Sequence, residues 1–138
     1  MSNELLWSWA AGIVDGEGSI SIFKVGKDSY SIVLHVGMSH KETINRIRTI
    51  FGDGQVREDK QPKGRKTMYV LRLYGKRAVE IVTLLLPHLF TKKRQAELVI
   101  EFNEKCSTDR GKQITEEVSI LRELIYGEIR DLNRRGTS

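Results

Sequence analysis

The sequence predicts an α+β fold in the order α-β-β-α-β-β-α-α-α, with a four-stranded antiparallel sheet and helices on one of its faces. Two pairs of alternating apolar–polar segments, each pair joined by a short polar turn, supply the strands. Apolar residues spaced at threes and fours before, between and after those pairs supply the helices. The length agrees: 138 residues, 39% hydrophobic and 30% charged, suit a globular chain able to bury a core. With no Pro/Gly/Ser-rich linker, low-complexity tract or internal repeat, residues 1–138 are expected to form one domain.

Residues 4 to 16 suit a first helix ending at Asp15-Gly16-Glu17-Gly18, where Gly18 is expected to take a φ that other residues avoid. Ser19 to Lys24 alternates as a strand with one buried face, and residues 29 to 38 form its partner after a turn at Gly26-Lys27-Asp28. Ser39-His40-Lys41-Glu42 fits a capping box, with Ser39 as the N-cap. The helix it opens carries Ile44, Ile47, Ile50 and Phe51 on one face and stops at Gly52. Gly54 to Lys60 and Thr67 to Tyr74 read as a second hairpin, joined by a basic loop. A helix over 76 to 86 is stopped by Pro87, and another starts near Thr91 and buries Leu98, Val99 and Phe102. The last uses Ile114, Val118, Leu121, Ile125 and Leu132. Trp7 and Trp9 are expected to anchor packing, His88 to follow Pro87 in a helix–loop junction, and Cys106 to be half-buried.

Composition narrows the chemistry. Lys and Arg number 23 against 18 acidic residues, a net +5 that favours a polyanionic partner, nucleic acid before membrane. One cysteine excludes an intramolecular disulfide framework and any Cys-based zinc site. The apolar run Leu5 to Val14 is about half of what a bilayer span needs. It lacks a preceding basic residue and runs into Asp15 and Glu17, the wrong flanks for a signal peptide. No membrane partner is expected. The protein is expected inside cells, in a prokaryotic cytoplasm or an organelle, and not secreted.

Strand parity sorts the sheet. Turning Ile20 and Ile22 toward the helices leaves Ser19, Ser21 and Phe23 on the opposite face. The same alternation places Ser29, Ser31, Val33 and His35 there, followed by Gln55, Arg57, Asp59, Met68, Val70 and Arg72 from the second hairpin. Such a face is either an ordinary solvated surface or a mixed donor, acceptor and apolar surface for a ligand. Lys63, Arg65 and Lys66 in the hairpin loop are either a solvated turn or a phosphate clamp.

Residues 10 to 18, Ala10-Ala11-Gly12-Ile13-Val14-Asp15-Gly16-Glu17-Gly18, are the most specific segment. Gly12 and Gly16, four apart, share a helix face and would let another helix approach closely. Asp15 and Glu17 fall where the helix ends at the base of the sheet, a placement that suits a metal ion held at a fixed point. The segment equally suits a buried helix with a glycine C-cap and solvated carboxylates. It lacks the alternating ligands and distal Glu of a calcium loop. It also follows a helix and lacks the Lys-Ser/Thr ending of a phosphate-binding glycine loop.

These nine residues resemble the signature of the LAGLIDADG homing endonucleases. Ala11, Gly12, Asp15 and Gly18 are identical, Ile13 and Val14 are conservative, and Glu17 stands where the second acid belongs. Ala10 replaces the leading Leu. The Ser19-Ile20 that follows, the element order and the length are similar to those of the single-motif members, so the resemblance covers nearly the whole chain. It implies a homodimer in which two motif helices pack at a twofold axis through Ala11, Gly12, Asp15 and Gly16. Each sheet would then form half of a saddle in the DNA major groove.

The resemblance also implies that Glu17 binds a divalent metal, normally Mg2+, with the Gly16 carbonyl as a further ligand. Mn2+ or Ca2+ could substitute for binding. Asp15 corresponds to the motif's first acid, which caps and supports the helix end. Lys92 lies where the family places a lysine that contacts the active-site water network or phosphate, although with Lys93 and Arg94 it also reads as part of a solvated basic run. His40 falls near a polar position close to that water, or is simply a surface histidine of the capping region.

The activity implied is site-specific cleavage of double-stranded DNA by a homodimer, on a long near-palindromic target, by metal-dependent phosphodiester hydrolysis. Among the outward residues Arg57, Arg72, Gln55 and His35 would lead the contacts to bases or backbone. The basic loop and Lys92 to Arg94 would hold phosphates. Non-cleaving intron RNA maturases and DNA-binding regulators on the same fold are the rivals, which would add intron RNA as a partner. Glu17 favours the nuclease.

Overall fold

Four strands pair antiparallel in the order β1-β2-β4-β3: β1 (Gly18–Val25), β2 (Ser29–Met38), β3 (Gln55–Asp59) and β4 (Met68–Tyr74). Each hairpin is therefore intact, and the two meet along β2 and β4, leaving β1 and β3 as edges. The computed structural model describes residues 3–27, 29–106 and 113–136, so Asp28 of the expected first turn lies outside the described residues. Among the described residues five α-helices complete the order: α1 (Asn3–Glu17), α2 (Lys41–Phe51), α3 (Gly75–Leu85), α4 (Lys93–Cys106) and α5 (Glu116–Gly136). None among the described residues is long and apolar enough to cross a membrane.

The alternation in the strands becomes a two-faced sheet. Ile20, Ile22, Ile32, Leu34, Val36, Leu71 and Leu73 are buried against Ala10, Ala11 and Val14 of α1, Ile44 and Ile47 of α2, and the apolar stripes of α3, α4 and α5. Fully burying such a side chain contributes roughly 1.5–3 kcal/mol, so this layer dominates the stability of the fold. Trp7 stacks on Phe51 at 5.6 Å between ring centroids and ties α1 to α2. Trp9 instead stays on the open side of α1, with the Arg46 guanidinium 5.2 Å from its ring centre.

Several local expectations are corrected. The N-cap of α2 is His40 rather than Ser39: its Nδ1 accepts the Thr43 backbone N–H at 3.3 Å, so no Ser39–Glu42 capping box forms. Gly18 has no positive φ. Its requirement is space, because a Cβ there would lie 3.0 Å from the Val14 Cα and O and 3.1 Å from the His35 carbonyl. α3 stops at Leu85, and Pro87 sits within a following 3-10 turn, Leu86–His88. α4 begins after Lys92, whose carbonyl accepts the Ala96 N–H. α5 starts at Glu116, with the Thr115 hydroxyl accepting the Val118 N–H, which leaves Ile114 outside the helix. Cys106 is fully buried rather than half-buried.

Polar contacts lock α5 to the first hairpin. Glu123 accepts hydrogen bonds from Lys24 Nζ at 2.6 Å and from the Tyr30 hydroxyl. The Tyr30 ring also meets Phe102 and Tyr126 edge-on. Lys24 first and Tyr30 second hold the Glu123 carboxyl below the ordinary glutamate value. Folded Glu123 thus binds its proton more weakly than unfolded Glu123. Its contribution is present above the ordinary glutamate range and lost as pH falls through the depressed value. Glu123→Gln should therefore lower the melting temperature most near neutrality, and the gap to the parent chain should close as thermal scans move into acid.

Gly54 makes a second check on the fold. It enters β3 at φ +112°, and a Cβ would lie 2.6 Å from Cδ1 of the buried Leu71. Gly54→Ala should destabilise the protein by roughly 1–3 kcal/mol in denaturant unfolding, from backbone strain and overpacking together.

Candidate nucleic-acid interface and metal-binding cleft

The end of α1 is built by Asp15. Its carboxylate accepts the backbone N–H of Phe90 at 2.8 Å and of Lys92 at 3.0 Å, so it holds the segment that leads into α4. Lys92 answers by donating its ammonium to the Asp15 carbonyl at 2.7 Å. A helix leaves its last carbonyls without intrahelical partners and carries a partial negative charge at that end. No basic residue occupies the last turn of α1, so Lys92, from another element, supplies the positive charge. Lys92 is half-buried here rather than on a solvated basic face, while Lys93 is exposed.

Glu17 ends the same helix with its side chain exposed and without a hydrogen bond or ion pair among the described residues. It opens into a cleft of about 490 Å³ with Gly16, Ser19, Lys92, Arg94 and Asn133 on its walls. Arg94 is already engaged: Glu128 accepts from its Nε at 2.7 Å and from an Nη at 3.1 Å, and that contact chiefly raises its pKa. Among the described residues no group of three His, Cys, Asp or Glu side chains converges to hold a metal ion. One chain therefore offers one free carboxylate together with the carbonyls at the helix end, all hard oxygen donors of the kind Mg2+ and Ca2+ take.

His40 is not brought to this cleft. It is exposed at the start of α2, with Nδ1 2.7 Å from the Thr43 hydroxyl, and its contacts are those of a cap. Two residues that sequence reasoning passed over do line it. Gln95, buried to 7% exposure, donates to Asn133 at 3.4 Å, and Asn133 donates to the Ile20 carbonyl and the Ser21 hydroxyl at 3.1 and 3.2 Å. Both sit in amphipathic helices where a lone amide looks like ordinary surface, so no pattern marked them.

On α1 the small residues divide. Ala11 is wholly buried in the chain's own core, because the helix turns that side toward the sheet, and Asp15 is committed to Phe90 and Lys92. Gly12 and Gly16 are exposed, and a Cβ at either would meet nothing within 4 Å. With Leu5 and Trp9 they form an open, largely apolar face.

The outer sheet face assembles as strand parity requires. Ser19, His35, Arg72 and Gln55 form one cross-strand row, and Ser21 and Val33 lie in the next. Phe23 pairs with Ser31, Arg57 with Val70, and Asp59 with Met68, while Ser29 begins β2 at the far end. Tyr74 completes the Val33 row and was also passed over, although continuing the alternation past Arg72 reaches it. Val33 and Val70 share this face but are buried within it. Burial, then the Arg72 charge, lowers the His35 pKa from its ordinary value, leaving a neutral imidazole at neutral pH. Lys63, Arg65 and Lys66 are exposed in the loop that joins β3 to β4.

No protein-family model matches the sequence, and no curated protein matches it. Solved structures do. The homing endonuclease I-CvuI, in complex with its target in the presence of calcium, is 24% identical, with TM-score 0.75 over 94% of this chain and 83% of that one. In complex with another DNA target and magnesium, its DNA not cleaved, the same protein is 22% identical, with TM-score 0.71 over 99% and 97%. The LAGLIDADG homing endonuclease I-GzeII, in complex with its DNA target, is 18% identical, with TM-score 0.60 over 91% of this chain and 43% of that one. The chain has the LAGLIDADG homing endonuclease fold.

Proposed function

We propose that two copies of this chain form a site-specific, divalent-metal-dependent endonuclease of double-stranded DNA, a single-motif LAGLIDADG homing endonuclease. The observation that carries this is the pairing of roles at the end of α1. Asp15 is spent on the fold, whereas Glu17, two residues on, is free beside the outer face of the sheet. DNA bound on that face, as the structural neighbours' complexes suggest, would bring a phosphate toward Glu17.

Glu17 and the Gly16 carbonyl would hold the metal, and with no group of three His, Cys, Asp or Glu side chains among the described residues, a second copy would supply a further carboxylate. A metal bound there supplies charge stabilisation and an activated water for phosphodiester hydrolysis. The chain's own groups do the remaining work. Lys92, held by Asp15, offers an ammonium to phosphate oxygens or to ordered water at the cleft. Arg57, Arg72 and the loop residues Lys63, Arg65 and Lys66 give the DNA a cationic bed, so affinity should fall steeply with salt. The neutral His35 and Gln55 offer hydrogen bonds to base edges. The open face of α1 would pack on its twofold mate, where missing side chains at Gly12 and Gly16 permit close backbone approach.

The decisive experiment offers the purified protein duplex DNA carrying the joined flanks of its gene, with magnesium and with chelator. Cleavage should require the metal. Glu17→Gln should bind the duplex yet cut at least about 100-fold more slowly, a loss of roughly 2.7 kcal/mol of transition-state stabilisation. Equal cutting by this variant would refute the assignment. Binding without any cutting would favour a maturase or regulator.

Gly12→Leu tests the pairing. The new Cβ meets nothing within 4 Å in the single chain, and the substitution should favour the helix by up to about 1 kcal/mol. Sedimentation should nevertheless show the variant as a monomer where the parent is a dimer, with cleavage lost. A parent chain that is a monomer on DNA would sink the dimer outright.

A further inference from the structure

The outer sheet face contains an apolar hollow that its charges do not explain. Val33 belongs to that face but is only 4% exposed, while Phe23 and Tyr74 beside it are 56% and 54% exposed. Ser19, His35 and Arg72 complete the lining of a hollow of about 400 Å³. Its floor is a valine, two of its walls are aromatic rings, and polar groups stand along one edge only. A phosphate would be poorly received, because it would lose water against apolar carbon. The small apolar group that duplex DNA presents in its major groove is the C5-methyl of thymine.

We propose that this hollow receives the C5-methyl group of a thymine in the major groove, making Phe23, Val33 and Tyr74 a determinant of target sequence. The proposal rests on the endonuclease reading above and specifies a base that the site selects. Arg72 lies one same-face row away, which is two residues and about 6.6–6.8 Å along a strand. Where the strand follows the groove, that distance matches about two base-pair steps at 3.4 Å each. The guanidinium is then placed to donate to a guanine near the selected thymine.

The test uses the full-length protein and duplexes selected from a randomised pool. Each thymine of the selected duplex is replaced singly by deoxyuridine, which removes the methyl and preserves pairing. One thymine per half-site should be sensitive, with binding weakened about fourfold, the worth of one buried carbon group. At that position cytosine should bind less well than 5-methylcytosine, which would show that the methyl is read whichever pyrimidine carries it. Phe23→Ala, on an exposed side chain, should bind the thymine and deoxyuridine duplexes alike.

A selected duplex with no deoxyuridine-sensitive thymine would overturn the inference and leave the endonuclease reading standing. So would undiminished discrimination by Phe23→Ala. Failure to select any duplex would overturn both, as would tighter binding of single-stranded RNA, for which the exposed rings would serve as stacking platforms.

Discussion

The two hydrogen bonds that Asp15 accepts from Phe90 and Lys92 set the geometry of everything near the cleft. A carboxylate receiving backbone N–H groups forms shorter and stronger bonds than a neutral acceptor, so this joint between α1 and the start of α4 is stiff. It fixes the direction in which α1 delivers the chain to β1. It also carries Lys92 to the carbonyl end of α1, where a cation is favoured. Glu17 gains nothing from the joint. Its carboxylate stands at the negative end of a helix with no hydrogen bond or ion pair among the described residues, an arrangement that costs stability unless something positive arrives.

The sheet carries the second constraint, its strict period of two. Each inward Ile, Leu or Val that builds the core commits its neighbours to the other face, so core and outer surface are specified together. Helix α5 protects the exposed edge that results. Asn133 takes the Ile20 carbonyl of edge strand β1, and Gln95 steadies Asn133 from α4. An unpaired edge that could template aggregation is thereby covered, and the covering helix becomes a wall of the cleft.

These two constraints explain which features were legible in the sequence. Element order, both hairpins and the outward residues follow from periodicity, because burial enforces it residue by residue. The misplaced N-cap of α2 comes from competition among polar side chains at a helix end. Either Ser39 or His40 could cap α2, and local sequence does not choose between them; the geometry of the β2 exit does. Gly18 was legible as a necessary glycine but for the wrong reason, since the crowding by Val14 and His35 that demands it is tertiary. Gln95 and Asn133 were illegible because their meaning lies in a contact between two helices and an edge strand. Ala11 turns into the chain's own core while Gly12 and Gly16 stay exposed, a division that pattern alone has no way to orient because both faces of α1 are apolar.

That double apolar character is itself informative. A helix at the surface of a lone domain would bury one stripe and solvate the other. α1 buries Ala10, Ala11 and Val14, yet presents Leu5, Trp9, Gly12 and Gly16 outward. The two glycines each cost the helix up to about 1 kcal/mol relative to alanine, and no crowding within the chain requires either. Departures from local preference with no compensating gain inside the fold tend to mark positions that serve something outside it. In the proposed dimer, another helix with the same two gaps would approach Gly12 and Gly16 closely by symmetry. The proposed dimer accounts for that cost and for the solitary Glu17 at once, since the axis that closes α1 upon its copy would also bring the second carboxylate to the first.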